Sequence, residues 1–149
     1  MKKISVFSFL LFLSLASSAQ FFHRKVNKFD KSGLRQGLWI SYLDSDKKAI
    51  AGIEHFKDGK EIGICRYYHP NGKLRLKFKF RNTDIKVKYF DGKRKLTSKG
   101  AAIMENTAKE IHYYWVGQWK FYDQHHHIKS IAIYQKGSPP VVIKGEPQK

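Results

Sequence analysis

The chain has 149 residues, with 29 Lys and Arg against 12 Asp and Glu, for a formal net charge of +17. That length suits about one domain, and so basic a balance favours anionic partners. The single cysteine, Cys65, excludes an internal disulfide, and only one apolar run approaches the length a membrane span needs.

That run comes first. Lys2 and Lys3 precede an apolar stretch over 4–16 broken only by serines, and Ser17-Ser18-Ala19 sets small residues before Gln20. This layout predicts a cleaved secretory signal over residues 1–19 and a mature protein in the periplasm or outside the cell. No cysteine stands at the cut, so a lipid anchor has no attachment point there.

Residues 20–36 are a polar, basic lead-in carrying Phe21, Phe22 and Phe29, and they offer an edge strand. The patterned region is 37–137. A strand over 37–43, a turn at 44–47 and a return over 49–56 close on Lys57-Asp58-Gly59-Lys60. The next strand covers 64–68, and His69-Pro70-Asn71-Gly72 is a turn, because Pro presets one dihedral and Asn-Gly accepts positive φ.

Over 73–81, Leu74, Leu76, Phe78 and Phe80 alternate with Lys and Arg. Period two predicts a strand with one dry face, in a register that a one-residue slip would invert. A turn at 81–84 leads to Ile85, Val87 and Tyr89 alternating with Lys86 and Lys88, and Asp91-Gly92 marks another hairpin. Residues 101–105 suit a strand or a short helix, and the repeat context favours the strand. Strands over 111–115 and 117–122, with a return near 131–134, end the pattern. Residues 138–149 are a tail in which Val141-Val142-Ile143 offers one more edge strand.

A spacing recurs through this pass. Gly37-x-Trp39-x-x-Tyr42 returns as Gly117-x-Trp119-x-x-Tyr122, and Gly63-x-Cys65-x-x-Tyr68 keeps the outer members. Self-similarity at such a period marks a repeat architecture. The glycines supply a conformation or a close approach that a Cβ forbids. Trp39, Trp119, Cys65 and the tyrosines are expected in the packing between neighbouring hairpins.

With Asn71-Gly72-Lys73-Leu74, these motifs resemble MORN-type repeats, closest to the bacterial YwqK antitoxin family. The resemblance covers roughly residues 33–137 and weakens over 85–115. It implies an all-β fold of consecutive antiparallel hairpins in one long twisted sheet, and no catalytic residue. An antitoxin neutralises its partner in the cytoplasm, whereas this chain carries an export signal.

Three constellations bear on function. Lys73, Arg75, Lys77, Lys79, Arg81, Lys86 and Lys88 are expected on one sheet face. They form either a solvated face that guards against edge pairing or a footprint for an anionic lipid or polysaccharide surface of the envelope. Nucleic acid is disfavoured by export and by the expectation that the aromatics here point inward.

Asp123, His125 and His127 alternate, with His126 and His112 nearby, and two histidines with a carboxylate can hold a metal. Yet His126 follows Gly117 as Gly72 follows Gly63, which makes the trio a hairpin turn. No metal and no cofactor is expected. No nucleophile elbow, phosphate loop or dinucleotide fingerprint occurs. Cys65, with His55 and His69 near it in sequence, sits at a packing position, and Glu54, Glu61, Glu105 and Glu110 suggest no acid/base pair.

The expectation is a non-enzymatic, exported binding or scaffold protein contacting an anionic envelope surface or a protein partner. The alternatives are an antitoxin-like module and a metal-dependent enzyme at the His125–His127 turn.

Overall fold

The computed structural model describes residues 25–81, 84–106 and 111–145. The expected signal segment, Phe21, Phe22, Asn82, Thr83, Glu110 and the last four residues lie outside them. Among the described residues there are eleven strands and no helix. They are β1 (Lys28–Phe29), β2 (Arg35–Tyr42), β3 (Ile50–Lys57), β4 (Lys60–Glu61), β5 (Ile64–Tyr68) and β6 (Leu74–Arg81). β7 (Asp84–Phe90), β8 (Leu96–Asn106), β9 (Ile111–Tyr122), β10 (Ile128–Tyr134) and β11 (Val141–Lys144) complete the set.

Each strand pairs antiparallel with its neighbour in sequence, in one open sheet that runs from β1 to β11, with β4 and β5 both on β3. Residues 101–105 belong to β8, the lead-in supplies β1, and the tail supplies β11.

The hairpins share one construction. Tyr42, Tyr68, Phe90 and Tyr122 each face an aliphatic residue: Ile50, Leu74, Leu96 and Ile128. Each of these pairs lies just beyond a register shift, so Ala51, Arg75, Thr97 and Lys129 are left unpaired as bulges. The loops that follow close alike, as in His69 N–H to Lys73 O at 2.8 Å, Asp91 N–H to Lys95 O at 2.9 Å and Asp123 N–H to His127 O at 3.0 Å. Gly72, Arg94 and His126 hold the same loop position, each at positive φ.

The copy that the sequence obscures is therefore Ile85-x-Val87-x-x-Phe90. Its departure has a physical cause. Gly37, Gly63 and Gly117 have φ of 70°, 65° and 65° with open space where a Cβ would stand, so conformation and not crowding requires glycine. At Gly63 and Gly117 the pairing with the preceding strand slips. Ile85 does not enter that region, and β6 and β7 pair without a shift.

The alternation of β6 and β7 divides the sheet into two faces. The dry face carries the core: Cys65 faces Phe78, Phe78 faces Val87, and Val87 faces Gly100. Trp119 is fully buried, lies against Gly100 where a Cβ would collide with its indole, and donates its Nε1 hydrogen to Ala101 O at 2.9 Å.

The rings of Trp115, Phe121, Tyr89 and Tyr134 surround Trp119, with Trp115 stacked on it at 3.7 Å. Trp39, expected to be its equal, is only half-buried, meets Phe29 and Phe56, and lies near the β1 edge. The two repeat tryptophans do not stack on one another; each packs within its own neighbourhood.

The sheet curls toward the dry face. Phe78 on β6 stacks on Tyr113 on β9 at 5.2 Å between centroids, although three strand steps, roughly 14 Å on a flat sheet, separate those strands. The opposite face is convex.

Candidate functional site

The convex face is crossed by one unbroken row. Ile40 faces Ile53, Ile53 faces Arg66, Arg66 faces Lys77, and Lys77 faces Lys88. Lys88 faces Lys99, Lys99 faces Lys120, and Lys120 faces Ile131. Five consecutive strands thus each place a cation in register: Arg66, Lys77, Lys88, Lys99 and Lys120. Strands stand ~4.8 Å apart, so the cations span roughly 19 Å.

Directly opposed like charges destabilise a sheet, and among the described residues none of these five forms an ion pair with a carboxylate. Their stems lie side by side, which leaves all but Lys88 only half-exposed.

Of the seven residues expected on the face, Lys77, Lys79, Arg81, Lys86 and Lys88 line one groove. Lys79 faces Lys86, and Arg81 faces Asp84. A second groove, which shares Lys86 and Lys88 with the first, continues to Lys99 and Lys120. Arg75 is the bulged residue of its hairpin and is exposed. Lys73 lies outside β6, in the turn, where its amide donates to Asn71 Oδ1 at 3.1 Å. Lys73 and Arg75 thus both stand outside the paired ladder.

The sequence reading missed Arg66, Lys99 and Lys120. A signal for two of them was present. Arg66 and Lys120 directly follow the buried repeat positions Cys65 and Trp119, so alternation turns them to the other face.

Of the aromatics in the basic stretch, Phe78, Phe80 and Tyr89 turn inward as expected, but Phe90 does not. Tyr68, Phe90 and Tyr122 stand two residues beyond Arg66, Lys88 and Lys120 on the same strands, and therefore on the convex face. Lys99 Nζ lies 5.5 Å from the Tyr122 ring centre, as that placement requires. These rings are half-buried against their aliphatic partners, so they form a shelf beside the row.

The histidine trio occupies the β9–β10 turn. Asp123 Oδ1 accepts the amides of His125 at 2.8 Å and His127 at 2.9 Å, the role Asp91 plays for Lys93 and Lys95. Burial opposes ionisation of Asp123, but these amides outweigh it and hold the carboxyl below its usual 3.8. His112 is ten residues up β9, roughly 30 Å of strand away. Among the described residues no group of three or more His, Cys, Asp or Glu is placed to hold a metal.

Cys65 is fully buried on the dry face. Burial pushes its thiol up to about 11. His55 and His69 make contacts elsewhere, with Ile64 O and Phe90 O respectively.

Two of the four glutamates do meet, which the sequence did not suggest. The Tyr67 hydroxyl lies 2.7 Å from Glu54 Oε1 and 2.8 Å from Glu61 Oε1, and the Tyr113 hydroxyl donates to Glu61 Oε2. Burial, and then the charge of Glu61, raises the Tyr67 pKa. The cluster ties β4 to the far half of β9 and helps to hold the curl.

Comparison with family models, with curated proteins and with solved structures returned no match for this chain.

Proposed function

We propose that this protein acts by binding and not by catalysis, as an exported module whose convex basic face docks on an anionic surface of the bacterial envelope. The row of five cations, Arg66, Lys77, Lys88, Lys99 and Lys120, carries this reading. A face needed only for solubility gains nothing from setting like charges directly opposite one another, where they cost stability. Mixed signs would serve solubility as well. The row is costly unless an anion completes it. The MORN-like spacing supplies the scaffold, since from β5 to β9 each strand adds one rung on the convex side.

The test separates arrangement from net charge. Lys77, Lys88 and Lys99 are changed together to Gln, and a control carries Lys25, Lys31 and Lys93 changed to Gln, three exposed lysines off the row. Both lose the same charge. On a dextran sulfate resin, the row variant is expected to elute at clearly lower salt than the control. Coincident elution would mean that the row is only part of a generally basic surface.

A further inference from the structure

We propose that the ligand of this face is a linear acidic polysaccharide lying across the strands, along the cationic row; this rests on the binding role proposed above. The row places one cation on each of five strands, with Lys79 and Lys86 beside it only on β6 and β7, and isoleucines continue the row at both ends: Ile53 beyond Arg66 and Ile131 beyond Lys120. A file of charges with defined ends fits a chain better than it fits a plane. The face is also convex, so a flat bilayer touches few rungs at once, whereas a flexible chain follows the curve.

The flanking shelf points the same way. Tyr68 with Leu74, Phe90 with Leu96 and Tyr122 with Ile128 run parallel to the cations, the rings two residues along their strands and the aliphatic partners three, across the bulge. Sugar rings carry an apolar C–H face beside their charged substituents, and a shelf next to a row of ammonium groups meets both.

The row sets the length of chain engaged. Two grooves joined at Lys86 and Lys88 hold four of its cations, Lys77, Lys88, Lys99 and Lys120, and Arg66 extends it by one strand. A glycan with one carboxylate per sugar places its charges at a spacing of the same order as the strand separation, so about five successive sugars fill the row.

The test titrates the full chain with polygalacturonate and its oligomers of increasing length, alongside vesicles containing phosphatidylglycerol and an oligothymidine of similar charge, all at one salt concentration. Affinity is expected to climb with oligomer length and to level off near five or six carboxylates. The Lys77, Lys88 and Lys99 triple Gln variant is expected to lose at least about tenfold, the order expected of three lost charge contacts, with the matched-charge control losing much less.

Affinity independent of length, or tighter binding through the row to vesicles or oligothymidine, overturns the polysaccharide while the binding role stands. Equal losses in the row variant and the control overturn both. Circular dichroism verifies that each variant is folded, and the exposed single change Lys88→Glu replaces the triple variant if that fails to fold.

Discussion

If the row is held against electrostatic resistance, removing its middle charge stabilises the protein. Lys88 is exposed and faces Lys77 on one side and Lys99 on the other. Favourable cross-strand pairs are worth ~0.2–1 kcal/mol and opposed like charges act with the other sign; taking the same magnitude, Lys88→Gln relieves two such pairs. Solvent screening at an exposed site favours the lower half of that range, which leaves a gain of about 0.5–1 kcal/mol. For a domain of this size that raises Tm by about 2–4 °C.

The assay is thermal unfolding by circular dichroism at ~20 mM salt and again near 1 M, where the screening length falls to about 3 Å and the gain should largely vanish. Lys31→Gln, in the turn after β1, is expected to change little in either condition. A Lys88→Gln variant that is neutral or less stable at low salt would refute the idea that the row costs stability, and with it the main reason for assigning the row a function.

The remaining predictions concern the scaffold. Trp119→Ala is expected to cost roughly 3–5 kcal/mol, as a fully buried large-to-small change does, and Trp39→Ala, only half-buried, distinctly less; equal losses in urea unfolding would contradict the unequal burial. Cys65 is expected to resist thiol reagents at neutral pH until the protein unfolds, because it is buried and its thiol is pushed up to about 11; rapid labelling of the folded state would place it at the surface.

The amides of Lys95 and Lys93 hold Asp91 below its usual 3.8, and the amides of Lys48 and Ala49 do the same for Asp44. A depressed carboxyl contributes stability above its unfolded pKa and loses it as pH falls through the folded one. Unfolding midpoints should therefore drop below about pH 4, and Asp91→Asn should flatten that drop; an unchanged acid limb in Asp91→Asn would rule this turn out as its source.

Much of the fold was legible because its signals are local. Period two over β6 and β7 shows which residues share a face, and turn chemistry at 69–72 and 91–92 joins those strands. The third copy was hidden because Ile85 stands where the others have glycine, and a pattern defined by glycine does not register a hairpin that pairs with its predecessor without a shift. Trp39 and Trp119 are alike in motif, but burial depends on what lies on either side. Trp119 has β8 and β10 as neighbours, while Trp39 has little beyond the two-residue β1.

The site was half legible for the same reason. Lys77, Lys79, Lys86 and Lys88 belong to one hairpin with a regular register. Arg66 and Lys99 join them across hairpins whose register depends on the bulges at Arg75 and Thr97, and Lys120 through a pairing that slips beside Gly117; such irregularities cannot be counted from propensity. The meeting of Glu54, Glu61, Tyr67 and Tyr113 depends on the curl of the sheet, which no local pattern encodes.

The most direct test of the central claim is a residue-resolved footprint. Amide chemical shifts of the isotope-labelled protein are recorded with and without a short acidic polymer. A functional row predicts that the largest changes fall together at Arg66, Lys77, Lys88, Lys99 and Lys120 on five neighbouring strands, and that the turns change little. Changes confined to the His125–His127 turn or the β11 edge, or spread evenly over all surface lysines, would contradict it.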